Sequence, residues 1–370
     1  MRMRFRVRSA YRSALQALML AWMAEGAPAM SAQGLDSLPD YHPAQQVTGV
    51  IRNFGSPFGK LLAAWETGFA KFQPGVRFAD NLQGHDAAIA GMISGVADLG
   101  TSGREPVLTE LEMFYDAFGN EPVQIAVATG TYDVMATWCP VILVNKDNPL
   151  AGLTLKQLDG IFGAARTGGY HGFKWSPRAA RTAQDDIRTW GQLGLTDEYA
   201  NKPIQTYGYG FTGMTNYFQQ RVFGGGDKWN PNYREYAETK TKMIAEKEGG
   251  EVLSIDHMLG ELSQDRYGIA WTGKVQANRF PNVRVIPLAA RQGDAFVMPS
   301  RETIQSRDYP LTRSIFIFMA RPKPAEAVEP KLKEFLRYIL SRQGQQAVVE
   351  TAVYLPMTAT VAREELQKLE

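Results

Sequence analysis

The sequence predicts an α/β protein built as two lobes, and three observations carry that expectation. Short apolar, β-branched runs alternate with segments of helical period along most of the chain. Thirty-five glycines and 20 prolines separate these runs with turns. A length of 370 residues exceeds what a single hydrophobic core ordinarily serves.

The elements follow in order. VTGVIRNF reads as a strand, Gly55-Ser56-Pro57 as a turn, and Ser56 as the cap of a helix with Pro57 in its first position. Leu61, Leu62, Trp65, Phe69 and Phe72 fall at helical spacing, and Pro74 ends the helix. VRFAD is a second strand, Asp86 caps a helix over 87–96, and ADLGTS is a third strand. A helix over 106–118 precedes two apolar strands, PVQIAVATG and TWCPVILVNK. Thr154 caps a helix over 155–162, and 163–186 reads as a loop or short helix. PIQTYG is a strand, Thr212 opens a helix through Phe223, and GGGDKWNPN is a loop. A helix near 255–262 precedes the strand YGIAWTG. YPLTRSIFIFMA alternates poorly and reads as a strand buried on both faces, with Pro322 and Pro324 breaking the chain after it. Two consecutive helices, 328–340 and 343–351, follow.

Composition removes several function classes. Apolar residues are 44% and charged residues 21%, an ordinary globular balance. A net charge of +2 does not suit a strongly basic nucleic-acid binder. The single cysteine, Cys139, rules out an internal disulfide and multi-cysteine metal sites, and reads as a buried packing thiol. His42, His85, His171 and His257 have no short metal-ligand spacing, and no cofactor is expected.

The N-terminus carries Arg2, Arg4, Arg6, Arg8 and Arg12, then an apolar stretch from Ala14 to Ala24, then small residues around Pro28. This is the pattern of a secretory signal peptide over 1–32, cleaved near residues 29–32. The apolar run is about half the ~20 residues that a spanning helix needs. Its removal takes five arginines and Glu25, a charge of +4, so the remaining chain has 2 − 4 = −2. A polar leader over 33–45 follows. The expected location is the periplasm or the exterior, with the mature chain monomeric and not embedded in a membrane.

Several motifs point to an anion. Gly208, Gly210 and Gly213 form a literal G-x-G-x-x-G between a strand and a helix, where free N–H groups and the helix dipole receive negative charge. A dinucleotide site needs an acid about 20 residues on at the end of the next strand; Asp227 has the spacing but lies in a loop. A nucleotide-dependent enzyme using this turn is therefore the weaker alternative. Ser56-Pro57-Phe58 and Gly84-His85-Asp86 open two further helices, so three helix starts can converge on one ligand, although each also reads as an ordinary cap. Thr101, Ser102 and Arg104 close the third strand, where open α/β sheets bind ligands. Tyr207, Tyr209 and Phe211 can line a cleft or simply pack. The basic run Arg166, Lys174, Arg178, Arg181 reads as a solvated face.

Taken together, these segments resemble the periplasmic phosphate-binding proteins of ABC importers, in the type II solute-binding superfamily. The resemblance covers about 47–357. It rests on the turn at Gly55-Ser56, WETGFAKFQPGVRF, GMISGVADLGTSGREP, VILVNKDNPLAGLTLKQLDGIF, YGIAWTG, YPLTRSIFIFMARP and EFLRYILSRQGQQAVVETAVYLPM. It implies a two-lobed type II periplasmic binding protein fold, each lobe a mixed sheet flanked by helices. Lobe I would be 46–140 plus 312–370 and lobe II 141–311. Ligand would meet Ser56, Phe58, Gly84, His85, Asp86, Thr101, Ser102, Arg104, Tyr209, Thr212, Gly213 and Thr215 in the cleft. The implied function is capture of an oxyanion, phosphate first, for a membrane permease and its ATPase; a sensing or scavenging role is the alternative. The sequence departs from the family pattern at three places. Thr212-Gly213-Met214-Thr215 stands for an Arg and Ser-Gly-Thr loop, with Gly208 at the arginine's place. The acid after the third strand is replaced around Gly103-Arg104. Gly84-His85-Asp86 stands where Ser-rich turns are usual. These departures predict a site that gains an arginine and lacks a hydrogen-bond acceptor, selecting oxyanions as a class.

Overall fold

In the computed structural model, described for residues 35–132, 136–210, 212–238, 243–245, 251–321 and 327–370, the chain builds two five-stranded mixed sheets. The first third of the chain lays down β1 (Gly49–Gly55), α1 (Leu61–Ala70), β2 (Val76–Asn81), α2 (Asp86–Ile93), β3 (Leu99–Ser102), α3 (Leu108–Phe118) and β4 (Val123–Thr129). The chain then crosses over. It forms β5 (Val141–Asn145), α4 (Leu155–Phe162), β6 (Gln205–Tyr209), α5 (Gly213–Val222), β7 (Arg234–Tyr236), α6 (Ser254–Gln264), β8 (Gly268–Thr272) and β9 (Val283–Ile286). It returns to finish the first lobe with β10 (Ser314–Met319), α7 (Pro330–Ile339), α8 (Arg342–Thr351) and α9 (Ala359–Gln367).

The sheet orders are β2-β1-β3-β10-β4 and β7-β6-β8-β5-β9. The two follow one plan. In each, the second strand has parallel neighbours on both sides, and the fourth place goes to the strand arriving from the other lobe, antiparallel to its neighbours. The two lobes are thus laced by the chain itself. β10 is buried along most of both faces, as its weak alternation predicts. Apolar cores lie on both faces of the first sheet, one around Trp65, Phe69 and Phe335 and one around Ile89, Met92 and Phe114. The second lobe packs around Trp271, Phe162, Phe218 and Trp190.

Several elements differ from expectation for identifiable reasons. α1 begins at Leu61 rather than Pro57, because Phe58 (φ 51°) and Gly59 (φ 68°) take left-handed backbone, which a right-handed helix does not admit. Asp86 is the first helical residue of α2, and His85 holds the cap position without a side-chain bond. The 163–186 segment contains a hairpin of two short strands, Gly169–His171 and Lys174–Ser176. α9 was not anticipated. The leader is not a free tether: Leu35, Leu38 and Tyr41 are buried in the first core, and Tyr41 donates to Glu334 at 2.6 Å. Residues 1–32, expected to be a signal peptide, and Phe211, Pro322 and Pro324 lie outside the described residues.

Candidate anion-binding site

A cavity of about 460 Å³ lies where the ends of β1 and β3 meet the start of α5. Its first wall is the 55–59 turn. Gly55 has φ 130°, and a Cβ there would lie 2.1 Å from the Thr101 carbonyl oxygen, so only glycine lets the two strand ends approach so closely. The Ser56 N–H donates to the Thr101 carbonyl at 2.8 Å, and the Thr101 hydroxyl donates back to the Ser56 carbonyl at 2.7 Å. Phe58 holds its strained left-handed backbone by packing its ring edge-on to Trp65 and Tyr354. Ser56, Phe58 and Gly59 face the cavity from this turn.

The second wall carries two buried arginines. Arg104 forks onto Glu110, with both contacts at 2.7 Å, and reaches Asp86 at 2.6 Å. Burial pulls its pKa down, but the hydrogen bonds it donates to Glu110 and Asp86 outweigh that and hold it above the ordinary arginine value. Those bonds to Arg104 also hold the Asp86 carboxyl below its usual range. His85 is pushed down by burial and by Arg104, so its imidazole is uncharged at neutral pH. Arg313, on the returning segment, bonds Glu105 at 3.1 and 3.2 Å, meets the Met214 sulfur, and lies over the Tyr217 ring at 5.5 Å. Both guanidiniums are thus preorganised by carboxylates.

The opposite wall is the start of α5. Thr212 caps it, its side-chain oxygen accepting from the Thr215 N–H at 3.4 Å. The first N–H groups of a helix have no intrahelical partner, and Gly213 and Met214, the first two helical residues, line the cavity. Here the lobes touch, since a Cβ on Gly213 would lie 3.0 Å from Arg104 Cδ. Glu238, beyond β7, adds a carboxylate to this side.

Of the expected site residues, Ser56, Phe58, His85, Arg104, Thr212 and Gly213 line this one cavity. Asp86 reaches it through Arg104 alone. The other expected residues are placed differently. Thr101 uses its hydroxyl to bind the 56 turn, and Ser102 bonds the backbone of Arg104, donating to its carbonyl at 2.7 Å. Tyr209 is a core ring whose hydroxyl pairs with Thr272 at 2.5 Å, and Thr215 is buried behind the cap, bonded to the Gly210 carbonyl. Gly84 supplies left-handed backbone (φ 125°) and binds Gly55, outside the lining. The lining residues that the sequence reading did not count among the ligand residues are Gly59, Gly103, Ala136, Thr137, Trp138, Met214, Glu238, Arg313 and Tyr354.

Against the expectation of a site without an acceptor, Glu238 is a carboxylate residue of the lining, whereas Asp86, Glu105 and Glu110 lie outside it and are taken by the arginines. The glycine motif also has a packing explanation. A Cβ on Gly208 would lie 2.2 Å from the Tyr233 hydroxyl, while Asp227 sits exposed beside Lys228. In the basic run, Arg166 and Arg181 are buried against Asp159, whereas Lys174 and Arg178 are exposed. A larger cavity, about 810 Å³, lies within the first lobe between α1 and α8, and shares no lining residue with the first. Among the described residues there is no cluster of His, Cys, Asp and Glu that would hold a metal ion, and no helix long and apolar enough to cross a membrane.

A family model described as a PBP superfamily domain matches residues 55–343. The phosphate-binding protein PstS of Pseudomonas aeruginosa is 30% identical over 354 residues, 95% of this chain and 97% of that protein. Among solved structures, PstS from Borrelia burgdorferi shares the fold at TM-score 0.50 and 16% identity, over 83% of this chain and 98% of that one. An ABC-type phosphate transport receptor from Vibrio cholerae gives 0.48 and 18%, over 83% and 100%. The match runs through both sheets and both crossings, so the chain belongs to the PBP superfamily, in the family of the PstS proteins.

Proposed function

We propose that this protein captures inorganic phosphate between its lobes outside the cytoplasm and presents it to an ABC permease and its ATPase. In this reading 46–140 with 312–370 form the first lobe, 141–311 form the second, and 1–32 leave as a signal peptide cut near residues 29–32. The mature chain acts as a monomer in the periplasm or outside the cell, and it binds rather than catalyses.

The observation that carries the reading is the opposition of oxyanion donors across one cavity. Ser56 and the two arginines stand on one side, and the α5 start with Thr212 stands on the other. Backbone N–H groups and charge-assisted bonds hold an oxyanion without large net positive charge. Asp86, Glu110 and Glu105 balance the two arginines, so the donors are held in place without a large local excess of positive charge. That the similar protein of Pseudomonas aeruginosa is a phosphate-binding protein points the same way.

The test is thermal unfolding of the protein lacking residues 1–32 with phosphate, phosphonates, sulfate, molybdate and small carboxylates. Phosphate is expected to stabilise most, by about 2.7 kcal/mol at a hundredfold excess over Kd. No shift with any oxyanion would overturn the reading.

A further inference from the structure

The second lobe touches the first at a place remote from the cavity. The hairpin of Gly169–His171 and Lys174–Ser176 puts its tip, Gly172-Phe173, on the first lobe. The Phe173 ring lies against Tyr115 of α3, with centroids 4.2 Å apart and planes at 33°. The Phe173 N–H donates to Glu121 Oε1 at 3.3 Å. Gly172 (φ 63°) admits this approach, because a Cβ there would lie 2.1 Å from the same oxygen. Glu121 stands just before β4. The β4–β10 register pairs Thr129 with Ser314 at the cavity end and Val123 with Met319 at the other. The contact therefore lies at the far end of the first sheet from the ligand.

The hairpin's root leads back to the site. The Tyr170 N–H donates to the Gly225 carbonyl at 2.9 Å, and a Cβ on Gly225 would lie 1.9 Å from the Tyr170 carbonyl oxygen. Gly225 closes α5, its N–H bonded to the Gln219 carbonyl at 3.0 Å. One helix thus has its first turn on the anion cavity and its last turn on the hairpin root. A rotation of the second lobe that moves Gly213 relative to Arg104 therefore also moves Phe173 relative to Tyr115.

We propose that the 169–176 hairpin is a strap that docks on Tyr115 and Glu121 only when the lobes are closed. Phe173 and Gly172 then set the lifetime of the bound state without touching the ligand. This rests on the reading of the protein as a phosphate receptor that closes on its ligand.

The test compares wild type with Phe173→Ala, Tyr115→Ala and the double variant. Phosphate release is followed by stopped flow with an external phosphate trap. Each single substitution is expected to raise koff about 3- to 10-fold, with kon changed less than about twofold, as the loss of one aromatic pair predicts. The double variant should release no faster than the faster single one, because both remove one contact. Unchanged koff in both single variants, or fully additive effects, would overturn the strap. In a second arm, small-angle scattering follows closure along a phosphate titration. Phe173→Ala should need about 3- to 10-fold more phosphate than wild type to reach the compact radius of gyration, and superimposable titrations would overturn the strap. If wild type binds no phosphate, the capture reading fails on its own, and the strap then stands only if Phe173→Ala has the larger radius of gyration without ligand. Tyr115→Ala, on the other lobe, keeps the test open if Phe173→Ala does not fold.

Discussion

Arg104 is held on two sides, and that makes it costly to replace. Its side chain and that of Glu110 are 11% and 12% exposed. Removing one member of such a pair leaves the other charged and buried without compensation. Arg104→Met is expected to lower folding stability by about 3 kcal/mol, read from urea denaturation, and to abolish phosphate binding. Arg104→Lys should fall between, since an ammonium cannot fork onto Glu110 while reaching Asp86. A second residue titrates where stability can report it. Glu66 shares Asn53 with Asp80, the Asn53 side-chain N–H groups donating to the two carboxyls at 2.9 and 3.0 Å. Burial, then the neighbouring Asp80 carboxylate, pushes the Glu66 pKa up to about 8. Between its ordinary value and about 8 the folded chain binds a proton that the unfolded chain has released, so stability falls as pH rises through that window. Glu66→Gln removes the loss. It should be more stable than wild type by about 1–3 kcal/mol at pH 8, with the gain disappearing near pH 4.5; a constant gain at both would contradict the assignment.

At the scale of elements, the 55–59 turn decides the shape of the first wall. Gly55→Ala would force a side chain into the Thr101 carbonyl, and backbone at φ 130° disfavours it further. The expected loss is about 2 kcal/mol or more in denaturant titration, with weaker phosphate binding because Ser56 and Phe58 lose their places. The same turn shows where sequence reading stops. α4 is legible to the residue because its signal is local: the Thr154 hydroxyl accepts from the Gln157 N–H at 3.1 Å, and the Gln157 side chain accepts from the Thr154 N–H at 2.9 Å. Thr212 marks α5 in the same way. Ser56-Pro57 carries the same kind of signal, yet the helix waits until Leu61, because the left-handed backbone at 58–59 intervenes. Arg104 was recognisable as a residue type, but its direction is set by Asp86 and Glu110. Arg313 was out of reach, since Glu105 lies 208 residues away in sequence and Met214 lies 99. The 169–176 hairpin hid in a stretch read as loop because strands of three residues hold too little alternation to register.

At the scale of the molecule, the two crossings are bound to each other as well as to their sheets. Gly130 on the outgoing segment donates its N–H to the Arg313 carbonyl at 2.8 Å, and the Tyr309 hydroxyl on the returning segment donates to the Pro140 carbonyl at 3.1 Å. Cys139 sits between them, its sulfur accepting from the Arg313 N–H at 3.2 Å and its thiol directed to the Arg313 carbonyl at 3.7 Å. The lone thiol of the chain therefore lies at the joint between the lobes, fully buried. Burial pushes its pKa up to about 12, which lowers the thiolate fraction at pH 8 roughly a thousandfold below that of an ordinary thiol. Labelling by a thiol reagent in native buffer must then wait for the crossings to separate. The native rate is expected to be at least about a thousandfold below the rate in urea. Saturating phosphate should slow it further, because ligand stabilises only the state in which the crossings stay together. Fast stoichiometric labelling of the native protein would show that the crossings open on their own, and a rate indifferent to phosphate would show that their separation is independent of the ligand cavity.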